Sequence, residues 1–172
     1  LKILSKEFNK HGHKLYIVGG FVRNKLLGLS CDDIDITSNL PLEILNKICK
    51  KLKISTTNIN QKLGTVLLKF NNQKFEFTRF RKESYDNEYS HTPKSVEFTD
   101  DYRNDCLRRD YTINAIYYNI ATNRCKYYKS KNSRKFIKNK SNTGNIFSNN
   151  RRSILWSNRN VLGSTSNGSF KI

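Results

Sequence analysis

Apolar positions recur along this chain with two spacings, one suited to helices and one to strands. Ile3 to Phe8 has the rhythm of a short amphipathic helix that ends near Gly12. Leu15 to Val18 is a continuous apolar run, short enough to be a buried strand, and Gly19-Gly20 breaks it. Phe21 to Leu27 returns to helical spacing, with Gly28 placed as a stop. Ile34 to Thr37 alternates like a strand. Pro41 then suits the first turn of a helix whose apolar stripe is Leu42, Leu45, Ile48, Cys49 and Leu52. Thr65–Phe70 and Lys74–Phe80 are two β-rich runs around Asn71-Asn72-Gln73, a hairpin signal. From Arg81 to Ser95 the chain is polar, holds Pro93, and reads as a long mobile loop. Val96–Phe98 is a short strand, Asp100–Arg109 is helical, and Asp110 caps a turn leading into the apolar run Ile113–Tyr118.

Short strands and helices thus alternate as far as about Tyr128, which predicts an α/β (α+β) domain over residues 1–128. Residues 129–172 differ in kind: nine Ser, nine Asn and ten Lys or Arg without periodicity, the composition of a disordered or diverged tail. No internal repeat is evident. Apolar residues are 36% of the chain, enough for one modest core. No apolar stretch reaches the roughly 18 residues of a membrane span, so no membrane is expected. Cys31, Cys49, Cys106 and Cys125 have no CxxC spacing and read as reduced thiols in an intracellular, cytoplasmic protein, with an organelle left open.

Charge sharpens the division. The net charge is +18, and every one of the 14 acidic residues lies at or before Asp110. Such a field favours a polyanion, RNA among them. AT-rich coding, which enriches Lys, Asn and Ile whatever the function, explains the same numbers.

The chemistry concentrates in Tyr16-Ile17-Val18-Gly19-Gly20-Phe21-Val22-Arg23, followed by Asp32-Asp33-Ile34-Asp35-Ile36. A strand that ends in two glycines lets backbone approach a phosphate, since no Cβ intrudes. Arg23, one helical turn on, can meet the same anion with a planar fork. Asp33 and Asp35 are two apart, so strand geometry puts both carboxylates on one face. Mg²⁺ would relieve their repulsion, and two such ions could bind a triphosphate and activate a hydroxyl. A Gly-Gly alone is a turn and an Asp-x-Asp alone a solvated face; the order and spacing of the set carry the signal.

That set resembles the signature of the DNA polymerase β-like nucleotidyltransferases. Downstream, Lys74-Phe75-Glu76-Phe77-Thr78-Arg79-Phe80-Arg81 and Cys106-Leu107-Arg108-Arg109-Asp110-Tyr111-Thr112-Ile113-Asn114-Ala115-Ile116 are similar to the bacterial-type tRNA CCA-adding enzyme and poly(A) polymerase family, over roughly residues 14–120. The segment Tyr85…Tyr89…Pro93-Lys94-Ser95-Val96 is similar to that family's flexible loop. The resemblance implies a small mixed β-sheet backed by helices, the polymerase β-like head. It implies nucleotide contacts from Gly19, Gly20, Arg23 and Arg109, and metal-holding catalytic carboxylates at Asp33 and Asp35. Glu76 is either a third carboxylate or a solvated strand residue. Asp110 is expected to be structural, capping its turn and pairing with Arg108 or Arg109; His91 and the cysteines have no assigned role.

The implied activity is template-independent addition of CMP and AMP, from CTP and ATP, to the 3′ end of tRNA or another RNA. Polyadenylation and an inert RNA-binding remnant are the alternatives, and the oligomeric state is open. The family continues after Asn119 with an Asp-Pro turn and a helix bearing Glu-Asp-x-x-Arg, which reads the incoming base. No Asp or Glu follows Asp110 in this chain. The expectation for these 172 residues alone is weak activity with poor base discrimination.

Overall fold

The computed structural model describes residues 1–85, 92–109 and 114–127. Asp110, His91 and the 129–172 tail, with the expectations attached to them, lie outside the described residues. Four helices and nine strands are described: α1 (Lys2–Lys10), β1 (Tyr16–Val18), α2 (Gly20–Leu26), β2 (Ile34–Ser38), α3 (Leu42–Lys51), β3 (Ser55–Asn60), β4 (Thr65–Phe70), β5 (Gln73–Arg79), β6 (Arg81–Ser84), β7 (Ser95–Phe98), α4 (Tyr102–Leu107), β8 (Ile116–Asn119) and β9 (Arg124–Tyr127). Seven strands form one mixed sheet in the order β3-β4-β5-β2-β1-β8-β9, and β6 pairs with β7 beside it. Only the β2–β5 neighbours run parallel; the crossover between them contains α3 and the β3–β4 hairpin. The sheet is the mixed α/β arrangement the pattern predicted.

Period-two alternation sends each strand's side chains to two different layers. Ile17, Ile36, Val66 and Phe77 face one way, into a core closed by Phe8 of α1 and by Leu45 and Ile48 of α3. Phe8 and Phe77 meet edge to face, ring centroids 6.1 Å apart. Tyr16, Val18 and Tyr117 face the other way, into a smaller aromatic layer with Phe80, Cys106 and Tyr102. That layer covers only part of the second face. The rest is left for chemistry.

Three differences from the sequence expectation have physical causes. The polar stretch from Arg81 is no loop at its ends: Arg81–Ser84 and Ser95–Phe98 pair antiparallel. The pairing is carried by polar cross-strand contacts, such as Ser84 Oγ to Ser95 Oγ at 2.6 Å, which hydropathy cannot register. Strand β3 was not expected either, because as an edge strand exposed along its whole length it shows no alternation. Finally, α4 is shorter than Asp100–Arg109. Asp101 caps it, accepting from Arg103 N at 2.9 Å, and it ends at Leu107.

Among the described residues, no helix is long and apolar enough to cross a membrane. All four cysteines are free thiols, with Cys49 and Cys106 buried.

Candidate active site

Val18 on β1, Asp35 on β2 and Glu76 on β5 lie in register, one row across three strands of the open sheet face. Their neighbours Ile36, Phe75 and Phe77 are buried, which fixes the pleat and forces Asp35 and Glu76 outward together. Asp33 stands exposed just before β2. Burial pushes the Asp35 carboxyl above its usual range; the charge of Glu76 adds to the rise, Arg109 opposes it, and Asp33 adds again. The site thus concentrates negative charge that Arg109 offsets only in part.

The glycine turn closes over this row. Gly19 holds φ +80°, and a Cβ there would fall 2.7 Å from Asp35 Oδ2. No other residue fits between the β1 terminus and that carboxylate. Gly20 is less constrained: a Cβ would meet only the tip of Arg23, at 3.4 Å. Arg23 projects from α2 and is oriented by two amide oxygens, Nε to Asn24 Oδ1 at 3.0 Å and Nη1 to Asn114 Oδ1 at 2.8 Å.

Arg109 is held from below by a residue that sequence reasoning overlooked. Asp105, fully buried on α4, accepts from Arg109 Nη2 at 3.1 Å, Arg109 Nε at 3.3 Å, Arg108 Nε at 2.7 Å and Arg81 N at 3.2 Å. The Tyr117 hydroxyl donates to the same carboxylate and accepts from Arg109 Nε at 3.0 Å. Burial alone would raise the Asp105 pKa, but the charges of Arg109 and Arg108 outweigh it and hold the carboxyl below its ordinary value. Burial, reinforced by Asp105, pushes the Tyr117 hydroxyl up. Asp105 pairs with both Arg108 and Arg109; the pairing expected of Asp110 lies outside the described residues. The missed signal was helical spacing, since Asp105 is three and four residues before the two arginines.

A cavity of about 360 Å³ joins these parts. Its lining includes Asp35, Glu76, Arg81, Arg108, Arg109, Ile59 and Leu63. A second recess of about 330 Å³ shares Leu63 and the three arginines and reaches Asn114.

The comparisons with known proteins bear on this geometry. Residues 15–132 match the family described as the poly A polymerase head domain, a span that contains every element of the site. The chain belongs to that family. The head domain is 39% identical over 112 residues to a CCA-adding enzyme of Geobacillus thermodenitrificans, covering 64% of this chain and 26% of the relative. It is 39% identical over 119 residues to a CCA-adding enzyme of Lactobacillus johnsonii, covering 69% and 28%. The chain therefore spans about a quarter of the length of these relatives. Among solved structures, it superposes on the Bacillus stearothermophilus CCA-adding enzyme in complex with CTP with a TM-score of 0.61 at 26% identity, over 93% of this chain and 37% of that one. A tRNA nucleotidyltransferase complexed with a primer tRNA and an incoming ATP analogue gives a TM-score of 0.56 at 25% identity, over 80% and 37%.

The carboxylates also fit a hard divalent cation. Among the described residues no three acidic or other ligating side chains converge on one point. One or two carboxylates, with the other positions left to substrate phosphate and water, is the way proteins hold Mg²⁺ beside a nucleotide. The repulsion of Asp35 by Glu76 and Asp33, only partly offset by Arg109, is what such a cation would remove.

Proposed function

We propose that this chain carries the catalytic head of a template-independent RNA nucleotidyltransferase, which transfers CMP and AMP from CTP and ATP to the 3′ end of tRNA. The observation that carries the reading is the in-register pair Asp35 and Glu76 beneath Gly19, faced by an arginine that Asp105 holds in place. The choice of tRNA and of these nucleotides is supported by the curated relatives, which are CCA-adding enzymes, and by solved neighbours bound to CTP or to a primer tRNA.

In this reading Arg23 and Arg109 meet the triphosphate through charge-assisted hydrogen bonds, while Gly19 and Gly20 leave the backbone bare for its approach. Asp33 and Asp35, with Glu76 beside them, would hold Mg²⁺, which supplies charge neutralisation at phosphate and acidifies an attacking hydroxyl. The RNA 3′ oxygen attacks the α-phosphorus, and the bond to the β-phosphate oxygen breaks as pyrophosphate leaves with the electron pair. The hydroxyl proton would pass to water, since the carboxylates beside it are the ones assigned to the cation. The head binds and orients; it forms no covalent bond to substrate.

The test is incubation of the chain with tRNA lacking its terminal C-C-A, with labelled CTP and ATP and Mg²⁺. The reading predicts slow extension of the tRNA 3′ end by a few nucleotides, with poor discrimination between CTP and ATP. A long ladder from ATP alone would reassign the head to polyadenylation. Bound RNA that is never extended would make it an inert remnant.

A further inference from the structure

The bond between Arg23 and Asn114 fixes the orientation of an amide. A guanidinium only donates, so the Asn114 atom 2.8 Å from Arg23 Nη1 is the amide oxygen. The two ends of an amide differ, one an acceptor and one carrying two donors, and placing one places the other. Asn114 Oδ1 is thereby committed to Arg23, and Nδ2 is turned away from it. Nδ2 has no hydrogen-bond partner among the described residues and remains open to solvent.

Asn114 lines the second recess and Arg23 does not, so the free end of the amide is the end that faces the recess. Arg81, Arg108 and Arg109 line it too, whereas Asp35 and Glu76 line only the other cavity. The acid in the recess is already engaged. Glu83 Oε1 accepts from Arg81 Nε at 2.6 Å and lies 3.6 Å from Arg108 Nη1, while Oε2 accepts from the Tyr85 hydroxyl at 2.6 Å. Arg109 gives Nε and Nη2 to Asp105, which leaves its Nη1 without a partner among the described residues. What the recess has to offer is donors.

Groups that only donate suit a ligand group that only accepts. A phosphate oxygen is such a group, and its charge also suits the guanidinium groups around it. A ribose hydroxyl brings a donor of its own and no charge. We infer that Asn114 Nδ2 donates to a phosphate oxygen of the bound nucleoside triphosphate, while its Oδ1 holds Arg23. The inference rests on the proposed function and adds a phosphate-binding residue to it. Asn114 then has two roles, one direct and one through Arg23, which a single substitution confounds and a pair separates.

The test is calorimetric titration of the whole 172-residue chain with inorganic tripolyphosphate in Mg²⁺, a ligand with neither ribose nor base. Wild type, Arg23→Ala, Asn114→Ala and the double variant form a cycle. If Asn114 acted only through Arg23, the double variant would bind as Arg23→Ala does, and equal affinities overturn the inference. The expected result is binding by the double variant about tenfold weaker than by Arg23→Ala, the scale of one hydrogen bond to a charged group. Asn114→Asp controls for folding, because its carboxylate still accepts from Arg23 while an oxygen replaces the donor. That variant should melt within a few degrees of wild type and bind tripolyphosphate more weakly than Asn114→Ala does. Affinity at or above that of Asn114→Ala overturns the inference. Cytidine, without phosphates, should bind every variant alike; a loss equal to that for tripolyphosphate would place Asn114 on the sugar or base and refute the assignment. Since only binding is measured, a wild-type chain that binds tripolyphosphate as expected yet extends no RNA would count against the proposed function alone.

Discussion

Replacing Asp105 with Asn tests the support beneath Arg109. The carboxylate is fully buried and takes five hydrogen bonds, from Arg81 N, Arg108 Nε, Arg109 Nε and Nη2, and the Tyr117 hydroxyl. Asn keeps the shape, yet it offers one acceptor oxygen and turns an N–H₂ donor toward groups that are themselves donors. Arg109, 15% exposed, loses its buried counter-charge, and Arg108, 12% exposed, keeps only Glu83 at 3.6 Å. Removing one partner of a buried pair costs about 3–5 kcal/mol. In a domain of this size that lowers Tm by about 10–20 °C. Urea and thermal denaturation measure the cost. Binding is then measured below the variant's Tm, where Arg109 should no longer be held: affinity for a nucleoside triphosphate falls about tenfold, while affinity for the nucleoside without phosphates is unchanged. A loss of stability below about 1 kcal/mol, or equal weakening for both ligands, would refute the claim that Asp105 holds Arg109 for the phosphates.

Gly19→Ala places a methyl group 2.7 Å from Asp35 Oδ2 at a φ of +80°, so incorporation should fall far more than for Gly20→Ala, as steady-state kinetics of the pair would show. Arg23→Ala should weaken nucleotide binding about tenfold in a calorimetric titration, because it removes the fork that Asn24 and Asn114 orient. Asp105 and Glu83 both have carboxyl pKa values depressed in the folded state, so each contributes stability above its unfolded value that is lost as pH falls through the folded one. Melting temperature should therefore drop as pH goes below about 4, and more steeply for wild type than for Asp105→Asn. If residues 129–172 bind RNA electrostatically, deleting them should flatten the slope of log affinity against log salt; an equal slope would leave their charge a matter of composition.

The sheet was legible where burial shapes the hydrophobic pattern. Leu15–Val18 emerges as β1 because both of its faces are packed, and Ile34–Thr37 and the two runs flanking Asn71-Asn72 emerge as β2, β4 and β5 because one face is. The outward face of Glu76 was legible for the same reason, since Phe75 and Phe77 face the core, but its register beside Asp35 was not, because it depends on the β2–β5 pairing. Strands β3, β6 and β9 were not legible. Their side chains are mostly exposed or paired through polar groups, so no hydrophobic rhythm marks them. The arginine scaffold was half legible. Arg23 and Arg109 carry the family resemblance in their own strings. Asp105 was marked only by its helical spacing to the two arginines, and the bond from Arg23 to Asn114, 91 residues away, exists only once the chain is folded.

The claim that nucleotidyl transfer occurs at the Asp35–Glu76 row is tested most directly by single-turnover extension of tRNA lacking its terminal C-C-A, comparing wild type with Asp35→Asn in Mg²⁺. Asn fills the same space and removes a charge that Glu76 and Asp33 repel. The variant should therefore melt at or above the wild-type temperature in chelator while extending RNA at least about a hundredfold more slowly. Extension within a few-fold of wild type by that intact variant would mean that the chemistry lies elsewhere.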